Sequence, residues 1–125
     1  MAFDRLKRLK FYPAEKIYPG SEAQETIQAL AAYEADRGNL SRALSVYQEL
    51  LEKIQPAKSG LAPGLIDAVH LSNIYSAAAA LYRRAGQADV AGTLEARSRD
   101  LWRRWDIQLP NNPFVRRQLQ AASLP

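Results

Sequence analysis

Gly38-Asn39-Leu40-Ser41-Arg42-Ala43-Leu44-Ser45-Val46-Tyr47, followed further on by Pro56, is the stretch that decides the fold. A Gly-Asn pair interrupts one helical pattern, and a second begins at once. Leu40, Ala43, Leu44, Tyr47, Leu50, Leu51 and Ile54 recur at i, i+3, i+4 and i+7, the spacing of a helix with one buried face. Ser41 is expected to cap that helix, and Pro56 to close it.

Upstream, Tyr18-Pro19-Gly20 reads as a turn, and Ser21 followed by Gln24 as a capping box. The helix this box opens is expected to run to about residue 37, with Ile27, Leu30 and Ala31 on its buried side. Earlier still, Phe3, Leu6 and Leu9 alternate with Arg5, Lys7, Arg8 and Lys10, which predicts a short amphipathic helix ended by Tyr12-Pro13. Downstream, 56–63 reads as a loop. A longer helix to residue 85 follows, with the stripe Leu71, Ile74, Tyr75, Ala78, Leu81 and Tyr82. Gly86-Gln87 turns the chain, Asp89 is expected to cap, and Val90, Leu94, Leu101 and Trp105 mark a fourth helix of the central set. Asn111-Asn112-Pro113 starts a last helix over 114–122, with proline in its first turn. Six helices are expected, the middle four in pairs.

Composition agrees with an all-α chain. Its 125 residues suit one small domain, and the 47% that are apolar are dominated by Ala and Leu rather than by β-branched residues. The absence of cysteine removes disulfides, thiolate chemistry and zinc–cysteine sites. No apolar run approaches the roughly 20 residues that span a bilayer, and no secretory signal pattern is seen, so a cytoplasmic location is expected. The net charge of +4 is uneven. Residues 1–20 hold five basic and two acidic side chains, 21–96 six and nine, and 97–125 six and two. The basic character therefore belongs to the two ends.

The paired patterns repeat. Gly38 answers to Gly86, Ser41 to Asp89 and Ala43 to Ala91, an offset of 48 residues. On Ile27, Leu30, Ala31, Gly38, Ala43, Tyr47, Leu50 and Pro56, and again on Tyr75, Ala78, Ala79, Tyr82, Gly86 and Ala91, the chain resembles the tetratricopeptide repeat (TPR) family. The usual period of that family is about 34 residues. The loop 58–64 and an extended third helix account for the surplus, and Glu95 departs from the pattern where a bulky apolar residue is usual. The resemblance implies stacked antiparallel helix pairs, with 21–56 and 64–105 as the repeats. Two repeats are fewer than the three or so a solenoid normally needs. The flanking segments 1–20 and 111–125 are expected to cover the faces left over, Phe114, Val115 and Leu119 covering the second; a homodimer is the other way to hide them. The tail from Leu101-Trp102-Arg103-Arg104-Trp105-Asp106 through Leu109-Pro110-Asn111-Asn112-Pro113-Phe114-Val115 also resembles the ending of TPR modules attached to bacterial serine/threonine protein kinases, though no kinase motif is present.

By the family's register, Glu25, Gln28, Ala32, Ala35 and Asp36 line a peptide groove from the first repeat, and Asn73, Ser76, Ala80, Arg83 and Arg84 from the second. Gln28 and Ala32 stand where a clamp for a peptide carboxylate needs Lys and Asn, so that ligand is not implied. Trp102 and Trp105 are candidate interface anchors, one of the two being expected in the core against the last helix. His70, the single histidine, has Asp67 one helical turn earlier, which reads as a surface contact rather than a catalytic pair. Glu34, Asp36, Glu49 and Glu52 read as solvated faces. Neither a cofactor nor a metal site is expected, and no enzyme constellation emerges. The expected function is a non-enzymatic protein-binding scaffold or adaptor, and the resemblance of the tail implies a fragment or appendage of a bacterial signalling protein such as a kinase. The alternative is a nucleic-acid binder using Arg97, Arg99, Arg103, Arg104, Arg116 and Arg117.

Overall fold

The computed structural model describes residues 17–54 and 64–122, and all described secondary structure but one isolated bridge is helical. Five helices are seen: α1 (Glu22–Asp36), α2 (Leu40–Lys53), α3 (Leu65–Arg84), α4 (Ala88–Gln108) and α5 (Pro113–Ala122). The helix expected around Phe3, Leu6 and Leu9 and the loop at 56–63 lie outside the described residues. The chain divides into two compact units, Met1–Asp67 and Ala68–Pro125.

In the first unit the chain arrives through a turn at Tyr18-Pro19-Gly20. Pro19 supplies the fixed φ of the second turn position and Gly20 a φ of 77° at the third, and the Ser21 N–H donates to the Tyr18 carbonyl at 3.1 Å. Ser21 then caps α1, its Oγ accepting from the Gln24 N–H at 3.2 Å. Gln24 reaches back one residue beyond the expected partner: its Oε1 accepts from the Gly20 N–H at 2.5 Å. Just before that turn, Ile17 is buried and its N–H donates to the Lys53 carbonyl at 3.0 Å, forming an isolated parallel bridge to Ile54.

The two hairpin turns use one set of hydrogen bonds. At the first, the Gly38 N–H donates to Ala35 and the Asn39 N–H to Glu34, at 3.0 and 2.9 Å. At the second, Gly86 donates to Arg83 and Gln87 to Tyr82, at 3.0 and 2.8 Å. These bonds satisfy carbonyls that a helix end leaves without partners. The glycines hold φ of 83° and 81°. Asn39 and Gln87 follow with nearly the same backbone, φ −90° and ψ 63° against φ −104° and ψ 66°. They occupy the N-cap positions, which corrects the expectation for Ser41 and Asp89: both lie inside the first turn of α2 and α4. The glycine turn is so short that the new helix starts two residues after it, before either side chain is reached.

α1 and α2 run in opposite directions, since Gln28 bonds to Tyr47 while Glu34, nearer the turn, bonds to Asn39. Ile27, Leu30, Ala31, Ala43, Leu44, Val46, Tyr47 and Leu50 form the buried set. In the second unit α3 meets α4 through Ser72–Ser98 and Trp102–Ser72 at one end and Arg83–Glu95 near the turn. The buried stripe of α4 is Ala91, Leu94, Ser98 and Trp102. Of the expected markers only Leu94 belongs to it; Val90 is exposed, and Leu101 and Trp105 are half-buried. α5 packs on α4. Asn112 caps it, accepting from the Val115 N–H at 3.1 Å, Pro113 is its first residue, and Val115 is fully buried.

The glycine turns predict opposite signs for glycine substitutions. Gly38→Ala and Gly86→Ala each force a side chain into left-handed backbone, at a cost of about 1–2 kcal/mol in urea unfolding. Gly92→Ala, inside α4 with nothing within 4 Å of the added carbon, is expected to stabilise by up to about 1 kcal/mol.

Candidate functional site

The residues assigned to a groove fall into two groups, one on each unit. On α1, Glu25, Ala32 and Asp36 are exposed, on the side away from Ile27, Leu30 and Ala31. Ala35 is buried rather than groove-facing, because it lies one turn beyond Ala31 on the buried face of α1. Gln28 is half-buried and held at both ends of its amide: Oε1 accepts from Gln24 Nε2 at 2.7 Å, and Nε2 donates to the Tyr47 hydroxyl at 3.3 Å. Burial pushes the Tyr47 phenol above its ordinary range, and the bond from Gln28 opposes that shift. Glu34 is also buried, its Oε2 accepting from Asn39 Nδ2 at 3.1 Å, which corrects its reading as a solvated carboxylate. An exposed aromatic that the sequence reading passed over, Tyr33, lies on this helix with the Arg37 guanidinium 5.3 Å from its ring centre and donating to its hydroxyl.

On α3, Asn73, Ser76, Ala80, Arg83 and Arg84 are all exposed. Arg83 is committed within its own unit, donating through both Nε and Nη2 to the two carboxylate oxygens of Glu95. That pairing accounts for an acid where a bulky apolar residue was expected. The guanidinium hydrogen bonds hold the Glu95 carboxyl below the usual carboxylate range; partial burial opposes them, and the charges of Arg83 and Arg99 add to them.

The chain matches no protein-family model, no curated protein and no solved structure. Site assignments therefore rest on geometry.

The two tryptophans separate. Trp102 is the core residue: it is fully buried, its Nε1–H donates to Ser72 Oγ at 2.9 Å, and Phe114 of α5 meets it edge-on with ring centres 6.1 Å apart. It is not available as an interface anchor, since an indole with its N–H bonded to a buried serine presents nothing to a partner. Trp105 is half-buried and keeps that candidacy. Asp67 accepts from the Gly64 N–H at 3.3 Å, at the start of α3, and His70 is half-buried one turn along. Among the described residues no three His, Cys, Asp or Glu side chains gather as metal ligands, and no helix is long and apolar enough to cross a membrane. Arg97, Arg103, Arg104, Arg116 and Arg117 are exposed, with Arg103 3.5 Å from Asp100 and Arg116 3.8 Å from Asp106.

Two measurements check this geometry. Ser72→Ala leaves the Trp102 N–H buried without its acceptor and is expected to cost about 1–3 kcal/mol in chemical unfolding. Carboxyl-detected NMR is expected to place the Glu95 midpoint below that of a free glutamate and to return it to the ordinary range in Arg83→Ala. Because the folded value is depressed, the stability contributed by this pair is present at neutral pH and lost as pH falls through that midpoint.

Proposed function

We propose that the protein is a non-enzymatic interaction module, a TPR-like scaffold of two helix hairpins that binds a segment of another polypeptide. The observation that supports this most is the repetition of the hairpin: turns 48 residues apart share glycine conformation, backbone hydrogen bonds and a buried alanine five residues on, Ala43 and Ala91. A chain that repeats a folding unit also repeats its outward face. Glu25, Ala32 and Asp36 on α1 match Asn73, Ala80 and Arg84 on α3 at that same offset, and all six are exposed. These small and polar stripes, one to each hairpin, suit contact with peptide backbone and polar side chains.

The likeness of the tail to kinase-attached modules supports the reading of the chain as a docking segment or appendage of a bacterial signalling protein. The nucleic-acid reading has less support, because two of the exposed arginines already face aspartates.

The test is affinity capture with crosslinking, followed by calorimetry with the purified partner. Asn73→Ala combined with Arg84→Ala, and separately Asp36→Ala, are expected to weaken binding about tenfold, or 1.4 kcal/mol, with helical content unchanged. Undiminished affinity in both variants would remove these faces from the interaction. Tight, steeply salt-dependent binding to a random oligonucleotide, with no polypeptide partner, would transfer the function to the basic helices.

A further inference from the structure

The second unit contains a cavity of about 120 Å³ lined by Ser76 of α3, Glu95 and Ser98 of α4, and Ala121 and Ala122 at the end of α5. Its floor is a buried polar chain with one proton too many. The Trp102 indole N–H donates to Ser72 Oγ, and Ser72 and Ser98 share one hydrogen bond at 2.9 Å. Three donor protons thus meet two bonds. Whichever hydroxyl gives the shared proton, the other keeps a proton free to donate elsewhere. Of the three groups only Ser98 lines the cavity, so the spare proton is satisfied when Ser72 donates to Ser98 and Ser98 points into that space.

The first unit shows what occupies the same positions when they are filled. Counting from the turn glycines, Gln24, Gln28, Tyr47 and Leu50 correspond to Ser72, Ser76, Glu95 and Ser98. In the first unit the Gln28 carboxamide bridges the set, accepting from Gln24 and donating to Tyr47. In the second, the short Ser76 side chain cannot bridge. Ser98 thus presents a proton to the cavity, and Glu95, although bound by Arg83, retains acceptor capacity on both carboxylate oxygens. A group that suits both walls accepts from one and donates to the other.

We propose that this cavity is a socket for a primary carboxamide, the side-chain end of an Asn or Gln of the partner polypeptide. Its oxygen accepts from Ser98 and its N–H donates to Glu95. A carboxylate has no proton to give Glu95, and an ammonium has no acceptor for the Ser98 proton, so a ligand that serves both must accept and donate. The volume is about four times that of a water molecule in the liquid, enough for a carboxamide and one or two carbons. The inference rests on the reading of the protein as a polypeptide-binding module.

Propionamide is the probe, titrated into the full ¹⁵N-labelled chain. Saturable shifts are expected at the amides of Ser76, Glu95, Ser98, Ala121 and Ala122 and at the Trp102 indole N–H, with millimolar affinity. Butanone, which accepts but does not donate, and propionate, which is anionic, are expected to bind at least fivefold more weakly. Ser76→Gln supplies the chain's own carboxamide and is expected to abolish the propionamide shifts while raising the melting temperature. Ser98→Ala is expected to weaken propionamide at least fivefold. Absence of saturable shifts in the folded wild type, equal shifts from propionate or butanone, or unchanged propionamide affinity in folded Ser76→Gln would each overturn the socket. If propionamide fails while a polypeptide partner still binds, the socket falls and the interaction module stands; the reverse result separates them the other way.

Discussion

Both hairpins turn on a glycine in left-handed backbone, and the order of everything after it follows from that conformation. A side chain at φ near 80° would crowd the carbonyl that follows it, so a β-carbon there is strained whatever space surrounds it. With glycine in place, two backbone N–H groups fold onto two carbonyls, the first helix ends satisfied, and the second begins two residues later. So short a link leaves the second helix little choice but to run back along the first. It also sets which residues meet: Ala43 and Ala91, at the same distance past the turn, have no exposed surface, as expected where two helices come close.

On this common frame the two hairpins are filled differently. The first carries Gln24, Gln28 and Tyr47, long side chains linked by hydrogen bonds, together with the buried Leu50. The second has small hydroxyl residues and one acid at those places, and takes Trp102 where the first has the half-buried Ile54. The indole supplies bulk and also a polar N–H that Ser72 must accept. α5 then closes one side with Phe114 and Val115. The second hairpin thus depends on an additional helix and on a polar chain, whereas among the described residues the first gains a turn and a bridge at its start.

The helices were legible because their punctuation is chemical. Gly38, Gly86, Ser21, Asn112 and Pro113 each do at a helix end what their backbone or side chain permits, and all stand where the sequence indicated. The expected caps were misplaced: Asp89 is a better capping residue by type than Gln87 and Ser41 is the equal of Asn39, but both stand three residues past the turn glycine, inside the helix. Of the large residues expected to mark the buried face of α4 only Leu94 lies on it; Val90, Leu101 and Trp105 flank a stripe that includes Ala91 and Ser98, which are small because they sit where helices touch. Glu34 looked like a surface acid because its partner, Asn39, lies across the turn and not on the same helix. Of the site, the exposed stripe on each first helix was legible from helical spacing. The cavity was not, because it arises from what Ser76 and Ser98 fail to fill.

The bridge between Ile17 and Ile54 brings the chain's entry to the α1–α2 hairpin beside its exit, both within the compact unit Met1–Asp67. A unit whose two ends are neighbours can be spliced between other segments without forcing them apart, the property that makes such modules easy to insert and to permute. Ile17 thus acts as a clasp, holding together the two points where the module joins the rest of its polypeptide.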